Sequence, residues 1–232
     1  MTDNARAGIF ARIRNVSAGA DADEIAAQLR SLGRAPAAAL PSPDLYTGFL
    51  INVLKNQGTA DVAGNRSEAV AAVGKYLYQH YNTYRLVAGN DQRLAAMPWR
   101  DAGVLPRFGE LEPGEPVSLS HARLAVAELG AVVTFTGKAN PAANNLLAEN
   151  HIVIVDCEDL VVDMEAAWER IQQLTDKEQR PRGINFIAGP SSTGDIEGKL
   201  VYGAHGPRQW HVILLGDVPA SALQEARSIA EP

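Results

Sequence analysis

Three short segments carry residue types that could do chemistry. The first is Gly189-Pro190-Ser191-Ser192-Thr193-Gly194-Asp195-Ile196-Glu197. It follows an apolar run, Ile184–Ile187, that reads as a strand. Small and hydroxyl residues at the carboxyl end of a strand form a concave rim where α/β proteins bind ligands. Reading a helix as opening after the rim, its backbone N–H groups and hydroxyls suit a carboxylate or phosphate-like anion. Asp195 and Glu197 already complement a helix N-terminus and would repel that anion, so a plain helix cap stands beside the ligand loop as a reading. Gly189, Ser191, Ser192, Thr193 and Asp195 are the candidate ligand-binding residues here.

The second segment is Gly203-Ala204-His205-Gly206-Pro207-Arg208. A histidine flanked by small residues can reach into a cleft as acid, base or donor. Equally, it can tie down its own turn. Gly203 and Arg208 join the ligand-binding candidates, because a guanidinium pairs a carboxylate bidentately. The third segment is Ala127-Glu128-Leu129-Gly130, ahead of the apolar run Ala131–Phe135. Glu128 there is either a base or nucleophile or a carboxylate that pins a backbone amide. Glu128 and His205 are the catalytic candidates. Asn140, Asn144 and Asn145 could line the same rim.

The absences narrow the chemistry. The sequence contains no G-x-x-x-x-G-K-[S/T], no G-x-G-x-x-G after a strand and no G-x-S-x-G, which argues against P-loop, dinucleotide and serine-hydrolase sites. Its five histidines show no H-E-x-x-H spacing, and no metal site is expected. Cys157 is the one cysteine in 232 residues. A single thiol makes no internal disulfide and holds no iron–sulfur cluster alone. The formal net charge of −6 opposes general nucleic-acid binding. No run of about 18 apolar residues suggests a membrane span, and the first residues show no apolar signal core. These readings describe a cytoplasmic protein.

The elements that must position these segments follow from periodicity. Ile9, Phe10, Ile13 and Val16 recur at helix spacing, as do Ile25, Leu29 and Leu32 behind a cap at Asp21. A Pro/Ala-rich joint from Ala35 to Pro43 then separates residues 1–43, an N-terminal helical arm, from an α/β domain over 44–232. Asp44 caps a third helix. Beyond it, strands at Ala60–Ala63, Arg85–Ala88, Ala131–Phe135, Ile152–Val155, Ile184–Ile187 and Trp210–Leu215 alternate with helices, one from Ser67 to Tyr81. Pro106–Pro116 reads as a surface excursion. Ile152–Val155 and Val212–Leu215 are unbroken apolar runs, the pattern of strands buried on both faces of a parallel sheet. The fold class is therefore α/β, in three α/β/α layers with a parallel-rich sheet.

The first two segments, with the strands around them, closely resemble the C-terminal signature of the LUD domain, and more narrowly the lactate-utilisation protein C family. Ala127-Glu128-x-Gly130, Leu146-Leu147, His151-Ile152 and the opening Ala7-x-Ile9-x-x-Arg12-Ile13-Arg14 fit as well. Against the family pattern this chain has Leu129 for Thr, Ala148 for Pro, Ser192 for Arg and Gly194 for Ala. The resemblance implies a NagB/RpiA/CoA-transferase-like fold. It also implies a part in oxidising L-lactate to pyruvate beside iron–sulfur partner proteins, with no cofactor on this chain. Two alternatives remain open. One is a stand-alone acyl/CoA-transferring or ligase-like enzyme using Glu128, and the other is a binding or scaffold subunit. The three segments are expected to line one cleft.

Overall fold

The computed structural model describes residues 3–17, 19, 21–33, 36, 39–175, 181–196 and 199–230. The chain divides into two compact units, Met1–Pro36 and Ala37–Pro232. In the first, α1 (Asp3–Ser17) and α2 (Ala22–Ser31) are joined near Asp21, whose carboxylate caps α2 by accepting from the Asp23 amide at 3.0 Å. The apolar residues read as the stripes of these helices are exposed, Val16 at 89% and Leu32 at 78%.

The second unit begins with α3 (Leu45–Lys55), capped by Asp44, which accepts from the Thr47 amide at 2.7 Å. Leu40, upstream of that cap, already packs on the core. In chain order come β1 (Thr59–Ala63), α4 (Arg66–Tyr81), β2 (Arg85–Ala88), α5 (Gln92–Ala95), β3 (Leu105–Phe108), β4 (Val117–His121), β5 (Leu124–Val126), β6 (Ala131–Thr136), α6 (Ala142–Leu146) and β7 (Asn150–Asp156). Then follow β8 (Leu160–Val161), α7 (Met164–Leu174), β9 (Gly183–Ile187), β10 (Ser192–Ile196), β11 (Lys199–Tyr202), β12 (Gln209–Leu215) and α8 (Ala222–Ala230).

Six strands form an all-parallel sheet in the order β1-β12-β7-β4-β2-β3. The unbroken apolar runs sit where a two-faced strand must. Val153, Val155, Val212 and Leu214 pack toward α3 and α8, while Ile152, Ile154, Ile213 and Leu215 pack toward α4. The α/β class and the parallel-rich, helix-covered sheet are as the sequence implies. A second sheet, β8-β5-β6-β9, is mostly antiparallel, and α7 covers it through Ala167 and Ile171.

Two local readings are corrected. No helix opens after Gly189. Ser192–Ile196 is β10, paired antiparallel with β11, because hydroxyl and β-branched residues favour a pleated ribbon as readily as a cap. The Pro106–Pro116 excursion begins as β3 at the sheet edge, where Pro106 need not donate to a neighbour on its open side.

Candidate functional site

Backbone hydrogen bonds bring the first two segments together. The Ser191 amide donates to the Pro207 carbonyl at 2.8 Å, and the Gly203 amide donates to the Ser191 carbonyl at 2.8 Å. Gly206 passes so near that a Cβ there would stand 3.0 Å from the Ser191 Cβ. Gly189 adopts φ +105° against the Asn56 carbonyl, a left-handed approach that only a residue without a side chain makes cheaply. The loops lie at the amino side of the parallel sheet, since Arg208 bonds Glu149 just before β7 and β12 begin. His205, Ser192 and Arg208 are exposed, and Gly203, Ser191 and Thr193 are half-buried. Asp195 lies on β10, with its side chain outside the described residues.

The third segment shares an anchor with them. Asn52 at the end of α3 donates through Nδ2 to the Ala127 and Glu128 carbonyls at 2.8 and 3.1 Å, and Asn56 donates to the Leu129 carbonyl at 2.7 Å. Asn56 thus touches both the Glu128 turn and Gly189. The Glu128 carboxylate, however, is turned toward α7, where Oε2 accepts from the Met164 amide at 3.1 Å. An acidic group at a helix N-terminus also complements the helix dipole.

The asparagines and His151 form a buried polar chain. Asn145 donates to Thr134 Oγ1 at 3.0 Å and accepts from Ser120 at 2.5 Å, and the same hydroxyl meets His151 Nε2 at 3.0 Å. Asn144 is held by Ser118 and the loop at Gly109 and Leu111. Asn144, Asn145, Ser120 and Thr134 satisfy one another between the two sheets, while His151 Nδ1 is buried without a hydrogen-bond partner. Burial holds His151 neutral, with its pKa pushed down to about 3.

Sequence reasoning missed a second titratable cluster, at the carboxyl ends of the parallel strands. From β2 the chain steps outward to β3, whereas from β4 it steps the opposite way to β7. The seam between β2 and β4 is therefore a topological switch point. Asp91 and Arg93 follow β2, His121 ends β4, and Asp156 ends β7. Arg93 grips Asp91 through Nε at 3.2 Å and Nη2 at 3.1 Å, and its Nη1 stands 3.8 Å from Asp156. Burial raises the Asp91 pKa, but the Arg93 hydrogen bonds outweigh it and leave the carboxyl below its ordinary value.

His121 completes the group. Its side chain is 2% exposed, with Nε2 3.6 Å from Asp156 Oδ2. Nδ1 bonds the Ala122 carbonyl at 3.0 Å. A carbonyl only accepts, so Nδ1 carries the proton and Nε2 presents a lone pair to Asp156. Burial first, and Arg93 second, lower the His121 pKa. Strand position was an available signal for Asp91, Arg93 and Asp156, which follow or end apolar strands, but not for His121, whose strand alternates apolar and polar residues.

Residues 116–215 match the LUD domain family. Over 195 residues the chain is 28% identical to lactate utilization protein C of Macrococcus caseolyticus, covering 76% of this chain and 84% of that one. It is 29% identical to the protein of the same name from an Exiguobacterium species, over 62% of this chain and 66% of the relative. With the Shouchella clausii protein of that name it shares 37% identity over 44% of each. The matches thus span just under two thirds and less than half of the last two relatives. Among solved structures, a DUF162 family protein from Deinococcus radiodurans superposes with TM-score 0.55 at 21% identity, covering 72% of this chain and 94% of that one, a likeness of fold. The three segments singled out by their chemistry fall inside the matched region, so the part of the chain that resembles the LUD domain is the part that carries them.

Proposed function

We propose that this chain is a non-cluster component of a lactate-utilisation system, acting with iron–sulfur partner proteins that oxidise L-lactate to pyruvate. The observation that carries the reading is the LUD match over residues 116–215 together with relatives named lactate utilization protein C. The oxidation releases two electrons and two protons, and the electrons need a carrier. Cys157, the one thiol in the sequence, is buried beside Gly216, and clusters are held by several thiolates. The carrier is therefore assigned to partners, and this chain binds no cofactor of its own. The reading places it in the cytoplasm. Among the described residues no helix is long and apolar enough to cross a membrane.

The geometry supports a docking and positioning role more than nucleophilic chemistry. The Glu128 carboxylate is engaged at α7, whereas His205, Ser192 and Arg208 stand exposed around the hydrogen-bonded loops. The test is affinity purification of the full-length protein from cells grown on lactate. The expected result is co-purification of cysteine-rich proteins with iron and acid-labile sulfide. Recovery of this chain alone, free of iron-bearing partners, contradicts the proposal.

A further inference from the structure

The first unit, Met1–Pro36, consists of two helices whose apolar faces stay open among the described residues. Isolated helices shorter than about 12–15 residues are marginal in water. α1 has 15 residues and α2 has 10, so packing must supply most of their stability. Yet α2 contains no buried residue. Ile9 and Phe10 on α1 are each 48% exposed, and Leu29 on α2 is 62% exposed. The two stripes therefore do not close on each other within one copy.

The two helices carry opposite charge. Arg6, Arg12 and Arg14 are exposed on α1, whereas Asp21, Asp23 and Glu24 stand exposed at the start of α2, with Arg30 the one cation of that helix. A groove of about 380 Å³ runs over Arg6, Ala7, Phe10 and Arg14. The Arg6 guanidinium stands over the Phe10 ring at 5.7 Å. An apolar floor rimmed by two cations takes an apolar side chain with an acidic neighbour, and Glu24-Ile25 on α2 is such a pair. The ends match as well. Arg14 lies in the last turn of α1 and Glu24 in the first turn of α2. An antiparallel crossing sets them side by side, each at the helix end whose dipole it complements.

We propose that this unit is a dimerisation arm whose occupant is a second copy of the chain. α1 of one copy packs antiparallel on α2 of its partner, and the partner's α1 packs on the first copy's α2, which closes a two-fold bundle of four helices. A surface that carries both a face and its complement closes in this isologous way. The apolar stripes supply the driving force, and the charges select which faces meet and in which direction. A basic helix alone would call for a foreign acidic partner; here the acidic counterpart is the next helix of the same sequence. The inference is read on the purified protein and does not rest on the proposed role in lactate utilisation.

The test is the molar mass of the full chain in solution, by size exclusion with light scattering. The parent should run at twice the 24.8 kDa of one chain. Two charge reversals then probe the pairing, Arg6→Glu/Arg12→Glu/Arg14→Glu on α1 and Asp23→Lys/Glu24→Lys on α2. Each places like charges face to face and should weaken dimerisation roughly tenfold or more. At a concentration just sufficient to dimerise the parent, each variant alone should be a monomer. An equimolar mixture of the two restores opposite charges in both crossings and should recover the dimer. If either reversal melts lower than the parent, Ile25→Gln/Leu29→Gln, which keeps every charge, decides in its place, a monomer for the proposal and a dimer against it. A monomeric parent, a parent that grows beyond two chains, a charge variant that still dimerises alone, or a mixture that stays monomeric would each overturn the proposal.

Discussion

The carboxylate of Glu128 accepts the backbone N–H of Met164 at 3.1 Å, which ties the β5–β6 turn to the first turn of α7. A group so used contributes to stability. Replacing Glu128 by Ala should lower the unfolding free energy by about 0.5–2 kcal/mol, the range for a lost helix-terminal acceptor. Glu128→Gln keeps an acceptor and should lose less. Chemical denaturation of both variants beside the parent checks this. If both melt like the parent yet abolish lactate-dependent growth, Glu128 acts on a ligand instead.

Two glycines hold the loops on α3. Gly130 has φ +59° with backbone atoms of Asn52 and Val53 within 2.5 Å of an added Cβ, and Gly189 has φ +105° with the Asn56 carbonyl at 2.3 Å. An alanine at either position combines a left-handed conformation costing about 1–2 kcal/mol with overpacking of about 1–3 kcal/mol. Gly130→Ala and Gly189→Ala should each destabilise by several times more than Gly194→Ala, where nothing lies within 4 Å. Denaturation midpoints of the three variants decide it.

The sequence conveys the layers better than the seams. Ile152–Val155 and Val212–Leu215 announce themselves as parallel strands because both faces are apolar, and the packing of alternate residues on α3 and α4 follows from that. Val117–His121 hides, although fully buried. It alternates polar with apolar residues, and Ser118 and Ser120 find their partners only when Asn144, Asn145 and His151 arrive from elsewhere in the chain. The Ser191 and Pro207 loops do meet, but not as strand ends of one sheet: one follows β9 of the antiparallel sheet and the other precedes β12 of the parallel one. The meeting of Asp91, Arg93, His121 and Asp156 was not legible, because it exists only once the strand order is known. The Glu128 carboxylate was legible as either catalyst or amide pin, and its distance to Met164 supports the second use.

Buried histidines make the protein acid-sensitive. His151 and His211 are pushed down to about 3 by burial, the second aided by the nearby positive charges of His80 and Arg227. An unfolded histidine titrates near 6.5, so between about pH 6.5 and 3 the unfolded chain binds more protons than the folded one. Stability is complete above that window and falls with decreasing pH through it, by up to about 1.4 kcal/mol per pH unit for each histidine. Unfolding free energy measured from pH 7 to 4 should show this slope. His211→Gln should flatten it by the share of one group, and an unchanged slope would show that His211 does not titrate on unfolding.

Growth on L-lactate as sole carbon source, in a strain deleted for this chain and in the same strain with the chain restored, tests the proposed role most directly. The account predicts that deletion stops growth on lactate while sparing growth on pyruvate, and that the restored chain recovers it. Equal growth on lactate with and without the chain would contradict a part for this protein in lactate utilisation.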